Sequence, residues 1–195
     1  HLQDAIATLK EERLVIWAKS RQIGITTTLA AYVLHHALFT PNALALVFSK
    51  GERDAWEFLS KSRATYEALP PEFQQPLGLP DNREQMTFQS GSRILTLPST
   101  EAAGRGLNNN GQLVMTSTVN PYKMGSLFQQ LYQSSPNNGF KKLFFGWRVR
   151  PNRDQTWYNE RKTQYPDQAL FQKEHPETEE EAFAPARALA AFDLE

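Results

Sequence analysis

The apolar run Leu14-Val15-Ile16-Trp17 gives way to the cationic stretch Lys19-Ser20-Arg21-Gln22, then to Gly24 and a helix-like segment, Thr28 to Phe39, that ends before Pro41. Residues of these types in this order could bind phosphate. The standard phosphate-binding loop reads G-x-x-x-x-G-K-[ST] between a strand and a helix: backbone N–H groups cradle the anion, the lysine neutralises it, and the hydroxyl binds Mg²⁺. In the stretch Lys19-Ser20-Arg21-Gln22-Ile23-Gly24-Ile25-Thr26, Gly24 and Thr26 fit. Lys19 stands at the first glycine position and Ile25 at the lysine position.

Physically the loop still works. A lysine entering from the N-terminal end brings an ammonium to the β/γ-phosphates, and the planar fork of Arg21 adds a second cation. Thr26 and Thr27 open the following helix, whose dipole favours anions, and Thr26 is the candidate Mg²⁺ ligand. The side chain of Ile25 is expected to pack away from phosphate. An ordinary strand-to-helix turn with surface cations accounts for the same residues equally well.

The surrounding elements are what would position such a loop. Gln3 to Glu12 reads as a helix. Ala43 to Phe48 is a second apolar run of strand length, and its continuity predicts a strand buried on both faces. Ser49 is a candidate N-cap for a charged helix from Arg53 to Leu69, which Pro70-Pro71 ends. Gln85 to Phe88 and Arg93 to Leu97 flank Ser90-Gly91 as a hairpin. Leu113 to Thr116 and Lys142 to Trp147 are further strands, Pro151 to Pro166 is loop then helix, and Thr178 to Phe183 is a short acidic helix. Alternating strands and helices predict an α/β fold with a mostly parallel central sheet flanked by helices on both faces, in one domain spanning residues 1–195.

Composition narrows the classes. The 21 basic and 21 acidic residues cancel, which argues against a nucleic-acid binder over the whole surface but leaves room for a local basic groove. With no cysteine, disulfides and cysteine-bound zinc are excluded, and the cytosol is the expected compartment. His1, His35, His36 and His175 lack zinc-ligand spacing and read as surface or helix-flank residues. No apolar run reaches the roughly 20 residues of a membrane span, and no signal peptide opens the chain. It begins at His1 and stops at Glu195, and is expected to be one piece of a larger protein.

The segment Lys19–Thr27 resembles the deviant Walker A motif of phage large terminases, in which the lysine moves to the front of the loop and R-Q-x-G follows. The resemblance runs along nearly the whole chain. Gln3 stands where those proteins carry an adenine-contacting glutamine. Leu46-Val47-Phe48-Ser49, a charged helix and Leu69-Pro70 are similar to the family's next strand and helix. Ser92 to Ser99 with Gly104-Arg105-Gly106 is similar to the segment before its Walker B strand, and Thr116-Ser117-Thr118-Val119-Asn120 to its coupling motif. Trp147, Pro151, Arg153-Asp154, Trp157-Tyr158 and Glu181-Ala182-Phe183 resemble its C-terminal part.

The resemblance implies a P-loop NTPase fold and an ATPase that uses ATP and Mg²⁺ to drive double-stranded DNA into a procapsid. It implies Gln3, Lys19, Ser20, Arg21, Gln22, Gly24, Ile25, Thr26 and Thr27 around the nucleotide, with Thr26 on the metal. Arg105, between two glycines, is expected to reach a neighbouring subunit's nucleotide as an arginine finger. Ser117 and Thr118 are expected to sense the γ-phosphate. The implied partners are a portal protein, a small terminase subunit and further copies in a ring, with five the expected number. The implied location is the host cytoplasm and, transiently, the procapsid portal. Family members usually carry an RNase H-like nuclease domain after this one, and residues 1–195 do not encode it.

One departure is plain. A Walker B strand ends in Asp, usually followed by Glu, and no Asp-Glu pair occurs in this sequence. Either the chain is a nucleotide-binding module without hydrolysis, or residues that belong between Gly106 and Gly111 are absent from it. The second reading predicts a chain break in that window and an unfilled strand position beside Leu14–Trp17 or Leu113–Thr116. A helicase-like translocase is a further alternative, although the second ATPase-like domain it would need is not encoded here.

Arg148, Arg150 and Arg153 are weaker candidates for phosphate or DNA contact and read better as a solvated strand end. Trp147, Trp157 and Tyr158 read better as core than as base-stacking rings, and Glu177, Glu179, Glu180 and Glu181 as a solvated face.

Overall fold

The computed structural model describes residues 1–49, 51–98, 111–120 and 125–184. The chain is α/β. It divides into two compact units, residues 1–23 with 109–195 and residues 24–108. The strands expected in one central sheet fall into two sheets of three strands, one in each unit.

The first unit opens with helix α1 (Leu2–Glu11) and strand β1 (Leu14–Lys19). After residue 109 come β5 (Leu113–Ser117), α4 (Leu127–Gln133), β6 (Lys141–Phe145), α5 (Gln155–Thr163), α6 (Gln168–Glu174) and α7 (Glu179–Phe183). Its sheet has the order β5-β1-β6, with both pairs parallel. Val15, Ile16, Trp17 and Ala18 are all buried, so the continuous apolar run reflects a central strand covered on both faces. Ile16 and Ala18 point to one side and pack with Tyr132 of α4, Phe140 and Ala182 of α7. Ser126 caps α4 with a reciprocal capping box to Gln129, a signal that escaped the sequence reading.

The second unit holds α2 (Ile25–Phe39), β2 (Leu44–Ser49), α3 (Glu52–Glu67), β3 (Gln85–Thr87) and β4 (Arg93–Pro98). Strand β4 pairs parallel with β2 and antiparallel with β3, the expected hairpin. Leu34, Ala37, Leu38 and Leu59 from the helices close over Met86, Phe88 and Ile94.

Two expectations need correction. Strand β2 is not buried on both faces: it pairs with β4 alone among the described residues, and Leu44 and Phe48 are 38 % and 45 % exposed. Helix α3 starts at Glu52 with Gly51 at the cap position, while Ser49 ends β2 in strand geometry and cannot serve as N-cap. The window from Gly106 to residue 110 lies outside the described residues. Beside Leu14–Trp17 no strand position is unfilled, because β1 is paired on both sides; the far edge of β5 pairs with no strand among the described residues.

Candidate functional site

Because β5, β1 and β6 are parallel, their carboxyl ends lie along one edge of the sheet. This is the edge where open parallel α/β sheets place their ligands. Lys19 ends the central strand opposite Phe145 of β6, and Ser117 of β5 stands opposite Ala18. The segment after α6 runs across this edge. The carbonyl of Glu174 accepts from the Arg21 amide at 2.8 Å and from the Ser20 hydroxyl at 3.1 Å, and the carbonyl of Pro176 accepts from the Trp147 amide at 3.1 Å. Gly146 permits this approach, since a Cβ there would stand 2.3 Å from the carbonyl oxygen of Glu177.

The loop after β1 crosses from the first unit to the second between Ile23 and Gly24. In the first unit Ser20 is fully buried, with its amide on the Phe145 carbonyl at 2.8 Å. The Arg21 guanidinium is mostly exposed and pairs with the buried carboxylate of Glu174. Gln22 takes a left-handed conformation, φ 56°, which few residues other than glycine adopt. The carbonyls of Arg21, Gln22 and Ile23 are each held by a side chain. Arg153 donates to Arg21 O at 3.0 Å and to Gln22 O at 3.1 Å, Arg150 also donates to Gln22 O, and His1 Nε2 donates to Ile23 O at 3.0 Å.

In the second unit Gly24 sits at φ 91° as the residue before α2 and, lacking a side chain, gives the helix no side-chain cap. Its carbonyl accepts from the Thr28 amide at 3.0 Å. Ile25 is fully buried, and Thr26 and Thr27 are exposed on the first turn. Among the described residues no acceptor meets the amides from Gln22 to Thr27.

The electrostatics follow from this packing. Burial lowers the Lys19 pKa, the neighbouring Arg21 charge lowers it further, and Glu174 opposes both. An anion beside Lys19 would relieve the first two effects. Burial, then Arg153, Arg161 and Arg21, push His175 down to about 4, so it is neutral at pH 7. Its ring lies 3.5 Å from the Ser20 hydroxyl and 3.3 Å from the Tyr165 hydroxyl.

The structure thus brings Lys19, Ser20, Arg21 and Gln22 together at the sheet edge, with Ser117 and Thr118 at the end of the adjacent strand. The Ser117 hydroxyl donates to Thr118 O at 2.9 Å. Gln3 is exposed on the first turn of α1. Arg105 lies outside the described residues. Thr26 offers one exposed oxygen to a metal, and among the described residues no cluster of three His, Asp or Glu side chains could hold one.

Other readings change. Arg153 does not belong to a solvated strand end: it is 8 % exposed, with its guanidinium 4.2 Å over Trp157. His175 flanks α6, one of the two expected placements, and is buried there instead of lying on the surface. The acidic run is partly engaged, with Glu179 on Lys142 at 2.7 Å and Glu177 on Arg148. Trp147 is fully buried and stacked on Tyr158. Glu174, His175 and the backbone role of Arg153 were missed; their types and spacing match no motif, and only the tertiary fold brings them to the loop.

No known protein-family model matches the chain. Among the described residues no helix is long and apolar enough to cross a membrane.

Proposed function

We propose that this chain is the ATP-hydrolysing motor domain of a terminase-type machine that drives double-stranded DNA into a viral procapsid, on a P-loop NTPase fold. One observation carries the reading. A central parallel strand ends at Lys19 and runs into a loop whose Gln22 and Ile23 amides meet no acceptor among the described residues. Such a run of free N–H groups with two cations suits phosphate better than water alone.

In this reading Lys19 and Arg21 neutralise the phosphates and the loop amides bind their oxygens. Ile25 anchors the helix in the core instead of touching ligand. Thr26 would supply one oxygen to Mg²⁺, which when bound would draw charge from the phosphate oxygens. Ser117 and Thr118, at the end of the strand beside β1, would sense the terminal phosphate, and Gln3 the adenine. Arg105 would act on the nucleotide of a neighbouring copy in a ring assembled on a portal protein, with a small terminase subunit presenting the DNA. That assembly would form in the host cytoplasm at the procapsid.

The missing Asp-Glu pair favours a second reading, a nucleotide-binding module without hydrolysis. Phosphate release from MgATP, measured with and without double-stranded DNA, separates the two. The motor releases phosphate and is stimulated by DNA. Binding without release identifies the module, and absence of binding removes both.

A further inference from the structure

We propose that Arg153 is the positioning residue that shapes the loop backbone for phosphate; this rests on the phosphate-loop reading above. A buried arginine has a strong claim on good acceptors, since its charge has left water and its five donors need partners. Arg153 spends two of those donors on consecutive loop carbonyls, Arg21 O at 3.0 Å and Gln22 O at 3.1 Å, and its guanidinium lies 4.2 Å over the Trp157 ring. The Trp157 amide in turn bonds the Asp154 carboxylate at 2.8 Å, which starts α5 directly after Arg153. The guanidinium is therefore fixed from one side by a ring on a capped helix and fixes the loop on the other.

The consequence follows from peptide geometry. In a trans peptide the N–H points opposite to the C=O. Holding Arg21 O and Gln22 O directs the amides of Gln22 and Ile23 away from Arg153. Neither amide has an acceptor among the described residues. The left-handed conformation of Gln22, φ 56°, is unfavourable by itself for a residue with a Cβ, and the arginine pair on its carbonyl holds it there. Lysine, with a compact ammonium in place of a planar fork, cannot hold two carbonyls in this geometry.

The test is a pyrophosphate titration followed in ¹H–¹⁵N spectra of the whole chain, for the wild type, Arg153→Lys and Arg150→Ala. In the wild type the amides of Gln22 and Ile23 are expected to shift downfield with saturation. In Arg153→Lys the midpoint rises about tenfold or more, and those two amides shift less at saturation, while the β1 and α4 resonances keep their positions. Arg150→Ala, which removes an exposed side chain and one bond to Gln22 O, raises the midpoint about threefold; it carries the test if Arg153→Lys does not fold. Equal midpoints and shifts in the wild type and the folded variants would overturn the positioning role. A wild type whose loop amides ignore pyrophosphate would instead remove the phosphate-loop reading itself.

Discussion

Arg21 and Glu174 meet twice: the Arg21 amide donates to the Glu174 carbonyl at 2.8 Å, and the Arg21 guanidinium pairs with the Glu174 carboxylate. The backbone bond sets the course of the loop, and the ion pair occupies the cation that phosphate would use. Glu174→Gln keeps the shape and removes the competing charge. Pyrophosphate is expected to bind it about threefold more tightly, an effect that shrinks in high salt. Weaker binding would show that Glu174 prepares Arg21 for the anion instead of competing for it.

His175 makes stability depend on acid. Its folded-state pKa, about 4, lies below the ordinary value of 6.5, so the unfolded chain takes up a proton first as pH falls. The stability is fully present above pH 6.5, is lost progressively down to about pH 4, and falls no further from this group below that. The total is on the order of 2 kcal/mol after allowing for solvent screening. Urea unfolding across this range should show the slope in the wild type and a flatter profile in His175→Gln. Parallel profiles would mean that other groups carry the acid sensitivity.

Gly146 tests the segment that crosses the sheet edge. A Cβ added there meets backbone, the Glu177 carbonyl oxygen at 2.3 Å, and backbone cannot rotate aside. Gly146→Ala is expected to cost about 2 kcal/mol or more. Because the same segment carries Glu174, pyrophosphate binding should weaken as well. Thermal unfolding at wild-type temperature would show that this approach is not tight in solution.

The sequence carried most of the succession of elements, because period and punctuation are local signals, but the short helices α4 and α6 were not read from it. The run Leu14–Trp17, the stop at Pro41, the Ser90-Gly91 turn and the Pro70-Pro71 break each find their counterpart. What stayed hidden was non-local. The exposure of Phe48 depends on which strands flank β2, and nothing within Leu44–Ser49 records that. Lys19, Arg21 and Gly24 could be singled out because the phosphate loop proposed for them would be a contiguous motif. Arg153, Glu174 and His175 sit 132, 153 and 155 residues from their loop partners Arg21, Arg21 and Ser20, joined only by the fold.

Lys19 and the loop after it are proposed to bind the phosphates of a nucleotide. Equilibrium binding of MgATP to the wild type and to Lys19→Ala, with both shown to be folded by circular dichroism, tests this most directly. No other lysine lies in the loop to replace Lys19. The wild type is expected to bind and Lys19→Ala to lose about a hundredfold in affinity, close to 3 kcal/mol. Equal affinity in the two proteins would contradict it.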